Sequence, residues 1–225
     1  MPLKAKEPFR FFTRLSLTAA TGNKAKDLKS LVEHLKVASE AVIYQHTHRF
    51  LQQHQFLAPE PPNDFAYWVT NILQDEKLGE RLEAIDTVRF SSLSDLRQAV
   101  IEVLEKGLTQ NGSSREVPEG KEFHFMRSIR FSIPTPYQAL DLAQFADCLK
   151  KVSISSLYLH IFEAKLRPPL GVNDFSYWFE NELQELDLAQ KVANLDPYTH
   201  TLEGLRSKIV TLIEKRLSEI NYATP

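Results

Sequence analysis

The residues Asn63-Asp64-Phe65-Ala66-Tyr67-Trp68 recur 110 positions later as Asn173-Asp174-Phe175-Ser176-Tyr177-Trp178, and this repetition constrains the fold more than any other feature. Phe9-Arg10-Phe11 returns as Phe123-His124-Phe125, and Ser39 through Tyr44-Gln45-His46 returns as Ser153 through Tyr158-Leu159-His160, both shifted by 114. Leu96-Arg97 matches Leu205-Arg206, and Glu105-Lys106-Gly107-Leu108 matches Glu214-Lys215-Arg216-Leu217, so the two halves share one order of elements. Arrays need at least about three units to stabilise one another; two copies are a duplication. The repeats span residues 8–110 and 121–220, with a linker at 111–120 where glycine, proline and polar side chains displace any apolar period. The two lobes form a pseudo-twofold pair, built either as separate domains or around one shared core.

Each half opens with alternation. Phe9, Phe11, Leu15 and Leu17 fall on one face, as do Phe123, Phe125, Ile129, Phe131 and Ile133, which predicts a strand. A lone strand leaves its backbone groups without partners, so the two are expected to pair as a short antiparallel ribbon; an extended arm on helices would show the same pattern. A long helix is expected next, with its buried face at Leu28, Leu31, Val32, Leu35, Ala38 and Val42, echoed by Leu142, Phe145, Leu149, Val152 and Ser156. Pro59, Pro61 and Pro62, and Pro168 and Pro169, break the chain before an Asn-Asp pair that caps a second helix carrying Phe65 and Trp68, or Phe175 and Trp178. A short third helix carries Leu78, Leu82 and Ile85, or Leu188, Val192 and Leu195, and ends at Asp86 or Asp196. A fourth starts at the capping box Ser92-Leu93-Ser94-Asp95, or near Thr201. The expected fold is mainly α, two pseudo-symmetric four-helix repeats that a short ribbon can join.

Composition narrows the partners. With 27 Lys and Arg against 29 Asp and Glu, the chain lacks the net positive charge by which most nucleic-acid binders attract phosphate, so neither nucleic acid nor an anionic membrane is an expected partner. The single cysteine, Cys148, allows no intrachain disulfide and fits a reducing cytoplasm. The opening residues show no secretion leader, and no run of about 18 apolar residues suits a membrane helix.

Side chains that could carry chemistry come in pairs. His46 and His160 continue the buried stripe of their helices, where an imidazole needs a partner; each is either a titrating or ligand-contacting group or a core histidine bonded to Asp64 or Asp174. Tyr67 and Tyr177 sit beside core tryptophans and could offer a ring and a hydroxyl to a sugar, ring or peptide. Arg97 and Arg206 could clamp an anion or pair with Asp86 and Asp196. No metal site is expected: His46 and His48 point to opposite sides of a helix, and Cys pairs and a His-Glu-x-x-His pattern are absent. No cofactor is expected either, because nucleophile elbow, phosphate loop and dinucleotide fingerprint are all missing, and seven glycines leave little for phosphate loops.

The combination of Phe-x-Phe, Thr21-Gly22-Asn23-Lys24-Ala25, Tyr-x-His, Asn-Asp-Phe-x-x-Trp and Leu-Arg over nearly the whole chain resembles a bacterial and archaeal family catalogued only as a domain of unknown function. The resemblance implies a helical, cytoplasmic protein and supplies no activity, substrate or catalytic residue. The second repeat departs by reading Thr135-Pro136-Tyr137-Gln138-Ala139 at the glycine block. Duplication without a catalytic signature leads to the expectation of a non-enzymatic protein-interaction or adaptor module. The alternative is a small-ligand-binding or regulatory protein using His46, His160, Tyr67, Tyr177, Arg97 and Arg206 between the repeats.

Overall fold

The computed structural model describes residues 4–48, 63–87, 89–111, 115–166, 171–195 and 201–222. Each repeat begins with a strand of 17 residues, β1 (Phe9–Ala25) and β2 (Phe123–Ala139), paired antiparallel with each other. Among the described residues, five α-helices follow each strand: α1 (Leu28–Val37), α2 (Glu40–Thr47), α3 (Asp64–Asn71), α4 (Glu76–Glu83) and α5 (Leu93–Asn111), then α6 (Leu142–Leu149), α7 (Ile154–Ile161), α8 (Asp174–Asn181), α9 (Leu186–Ala193) and α10 (Leu202–Tyr222). The five prolines expected to break the chain, and Asp196, lie outside the described residues.

These elements correct the expected fold class. The chain is 57% helical with 18% in the sheet, so it is mixed α and β and not the mainly α pair of four-helix repeats with at most a short ribbon. The strands run far beyond the alternating stretch, and the two-residue apolar period could not show it, because their later parts, Thr18 to Ala25 in β1 and Pro134 to Ala139 in β2, carry no alternation of large apolar residues. Their register is read identically from both ends: Thr21 Oγ1 donates to the Phe125 carbonyl (2.7 Å) and Thr135 Oγ1 to that of Phe11 (2.6 Å).

The helix count is corrected as well. The long helix expected over Leu28–Val42 is two helices, because Ala38 is extended (φ −66°, ψ 139°) and Ser39 opens α2. The same break falls between α6 and α7, where Ser153 accepts from the Ser156 amide. The spacing hid it, since Leu28, Leu31, Val32 and Leu35 of α1 and Val42 of α2 are all buried in one core. A helix end leaves carbonyls without intrahelical donors. The Leu-Arg motif supplies them: Arg97 donates to the Ala38 carbonyl (2.7 Å), and Arg206 donates to those of Leu149 (2.5 Å) and Val152 (2.7 Å).

The described residues of 1–15 and 131–225 form one compact unit, and those of 16–54 and 58–130 form the other. Both strands cross from one unit to the other at mid-length. The first half of β1 therefore packs with the helices of the second repeat, and the first half of β2 with those of the first. In the unit of α6–α10, Phe9 meets Phe145, Phe175 and Trp178 edge-on at centroid distances of 5.2, 5.4 and 5.7 Å. In the unit of α1–α5, Phe123 meets His46, Phe65 and Trp68 at 4.7, 5.2 and 5.8 Å. Each set of helices is closed by the Phe-x-Phe strand of the other repeat.

Candidate functional site

The repeated polar motifs converge on those incoming strands. Asn63 and Asn173 cap α3 and α8 by accepting from the amides of Ala66 and Ser176, which sets Asp64 and Asp174 in the first turn. Asp64 accepts from His46 Nδ1 (2.8 Å) and Asp174 from His160 Nδ1 (2.7 Å). The other ring nitrogen faces the strand: His46 Nε2 accepts from the Met126 amide and His160 Nε2 from the Phe12 amide, each at 2.9 Å. A backbone N–H can only donate, so Nε2 holds a lone pair and Nδ1 holds the hydrogen. The tryptophans complete the clamp, with Trp68 Nε1 donating to the Lys121 carbonyl and Trp178 Nε1 to that of Glu7.

This arrangement leaves the imidazoles no lone pair for substrate. Both nitrogens are bonded within the protein, and each side chain bridges a helix start to a strand. Arg97 and Arg206 act as the helix caps described above. The ion pair with Asp86 weighed for Arg97 is taken instead by Arg89 (2.7 Å), and Asp196 lies outside the described residues. Tyr67 and Tyr177 are exposed at the second turn of their helices, while Trp68 and Trp178 are buried.

Sequence reasoning missed the tyrosine of Tyr-x-His. Tyr44 and Tyr158 are fully buried, and each carries a strand arginine over its ring, Arg130 at 4.0 Å and Arg14 at 5.0 Å. Arg14 also pairs with Glu163 (2.7 Å) in a buried contact. The repeated tyrosine was the only available signal, because the arginines occupy positions that do not repeat.

His48 follows in the first repeat, 2% exposed and stacked on Tyr44. Burial, and then the Arg130 charge, push its pKa down from 6.5 to about 4. Between those values the unfolded chain binds a proton that the folded chain refuses. Stability is therefore complete above about pH 6.5 and falls by about 3 kcal/mol as the pH drops toward 4. Urea unfolding across that range should show this slope in the wild type and lose it in His48→Phe, which installs the residue that the second repeat has at position 162.

The unit of α6–α10 holds a cleft of about 500 Å³ along the outer edge of β1. Arg10, Phe12, Ser132, His160, Asp174 and Tyr177 line it, so it joins two of the six expected side chains, His160 and Tyr177. Arg206 does not line it, and His46, Tyr67 and Arg97 belong to the other unit. Among the described residues, no group of three or more His, Cys, Asp or Glu could hold a metal ion, and no helix is long and apolar enough to cross a membrane. Cys148 donates to the Gln138 carbonyl, and burial raises its pKa, the opposite of an activated thiol.

The model of a family described as "Family of unknown function (DUF5752)" matches residues 6–214. The chain is also similar to the structure of OrfY from Thermoproteus tenax, at 28% identity and a TM-score of 0.81, over 94% of this chain and 96% of that one. No curated protein matches it.

Proposed function

We propose, for a chain that belongs to the DUF5752 family and inherits no assigned activity from it, a non-enzymatic role as a module that docks a partner protein along its β-ribbon. One observation carries this reading: in the unit of α6–α10, β2 is exposed at every residue from Phe131 to Pro134, on both faces, with Phe131 and Ile133 at 48 and 43%. On β1 in the same unit, Leu15 is half-exposed. Apolar side chains gathered on a strand with an open edge invite an added strand, and natural sheets usually shield such edges.

Charge defines the occupant. Arg14 is buried and neutralised by Glu163, but the exposed charges of β1 and β2 are Arg10, Lys24, Arg127 and Arg130, with not one Asp or Glu in either strand, in a chain whose net charge is −2. The complement is an extended partner segment with apolar residues flanked by carboxylates. A second copy of this chain would set like charges against each other, which costs affinity. The single cysteine keeps a cytoplasmic setting part of this reading, and the overall charge keeps nucleic acid out of it.

The test compares wild type with the pair Phe131→Glu and Ile133→Glu by gel filtration from extracts of the cells that make the protein. A stoichiometric protein partner should travel with the wild type and be lost from the variant, whose melting temperature stays put. A wild type that elutes as a bare chain, or a partner that the variant retains, sinks the proposal.

A further inference from the structure

The cleft along β1 has its own chemistry. Its floor offers ring faces: both nitrogens of His160 and the Trp178 indole N–H are already bonded within the protein. Its remaining hydrogen-bonding capacity comes from the strand and the rim. The Phe12 amide points away from β2, toward His160, and the side to which a residue's N–H and C=O point alternates along an antiparallel strand. The main-chain N–H and C=O of Arg10 therefore face the same way as those of Phe12, into the cleft that Arg10 lines. Among the described residues, the Arg10 guanidinium and the hydroxyls of Ser132 and Tyr177 make no hydrogen bond.

Both signs of charge are present. Arg10 supplies a cation, while Glu7 and Asp174 supply carboxylates at the same cleft. A purely anionic ligand would meet the carboxylates and a purely cationic one the guanidinium. A small zwitterion satisfies both, and Phe12 and Tyr177 add aromatic surface for an apolar side chain. The volume suits a molecule of this size, since small-molecule sites run from about 300 to 1,000 Å³.

We infer that this cleft binds a free α-amino acid with an apolar side chain, its carboxylate held by the guanidinium and main-chain N–H of Arg10 and its ammonium by the carboxylate side of the cleft. Recognition of a main-chain carboxylate by backbone N–H groups is an established mode of peptide binding. The unit of α1–α5 has His124 where Arg10 stands and Gln45 where Leu159 stands, so the site belongs to one unit only.

The experiment is calorimetric titration of the full chain with L-phenylalanine and with L-leucine, up to about 10 mM to reach weak affinities. Saturable binding to one site is expected for at least one of them. Arg10→Gln should weaken it at least about tenfold, the loss of one charge-assisted bond, without moving the melting temperature. His124→Gln, the matching change in the other repeat, should leave it unchanged. L-Phenylalaninol, which lacks the carboxylate, and N-acetyl-L-phenylalanine, which lacks the ammonium, should each bind at least about tenfold more weakly. Silence with both amino acids, binding that survives Arg10→Gln, or equal binding of the analogues overturns the inference. Arg10 is exposed and its side chain makes no hydrogen bond or ion pair among the described residues, so its replacement tests the ligand and not the fold.

Discussion

Residues 16–130 expressed alone should unfold in one cooperative transition, and residues 1–110 should not. The shorter-numbered fragment holds every helix of the first repeat but ends before Phe123 and Phe125, the two rings that close those helices. Its His46 Nε2 loses the Met126 amide, and its Trp68 loses the Lys121 carbonyl. Removing a buried phenylalanine costs about 3–5 kcal/mol, so losing two removes about as much as a small domain's whole stability. Residues 16–130 keep both strand halves of that unit together with α1–α5. Far-ultraviolet circular dichroism melts of the two fragments distinguish the outcomes. A cooperative melt from 1–110 equal to that from 16–130 would show that the helices close without the borrowed strand.

Phe11→Ala in the full chain should lose about 3–5 kcal/mol in urea unfolding. Phe11 is 1% exposed, with Phe145 of α6 at 5.1 Å, His160 of α7 at 6.0 Å and Phe175 of α8 at 6.1 Å between ring centroids, so truncation leaves a cavity that three neighbouring helices cannot all move to fill. Phe131→Ala, on a ring that is 48% exposed, should change stability by no more than about 0.5 kcal/mol. The same residue type on the same pair of strands thus separates what holds the fold from what is available to a partner. Equal costs at the two positions would contradict the assignment of the ribbon's middle as an open surface.

The two histidines illustrate how a repeated polar residue misleads. An imidazole on a buried stripe raises the question of catalysis, but its partners answer it. Here each ring is consumed by one carboxylate and one backbone amide, and the carboxylate lies on the next motif along the chain. The arginines of Leu-Arg tell a similar story. Their carbonyl partners exist only because the long apolar stripe is split into two helices, and the split leaves no mark on the spacing of the buried residues. The cleft residues Arg10 and Ser132 carried no sequence signal, because the edge of a strand becomes a wall only once helices stand beside it.

The sequence by itself determined the duplication, the helix starts at Asn63, Asn173 and Ser92, and the buried faces of the helices. Capping and periodicity act over three or four residues, and those residues are neighbours in the chain. It also placed Phe9, Phe11, Phe123 and Phe125 on buried strand faces. Only the tertiary structure decided which helices bury them. Two copies of Phe-x-Phe and two copies of the aromatic groove are chemically interchangeable, and a two-residue period says that a face is covered without saying by what. The choice was made by the pairing of β1 with β2 along their full 17 residues, which carries each strand's first half into the unit built by the other repeat's helices.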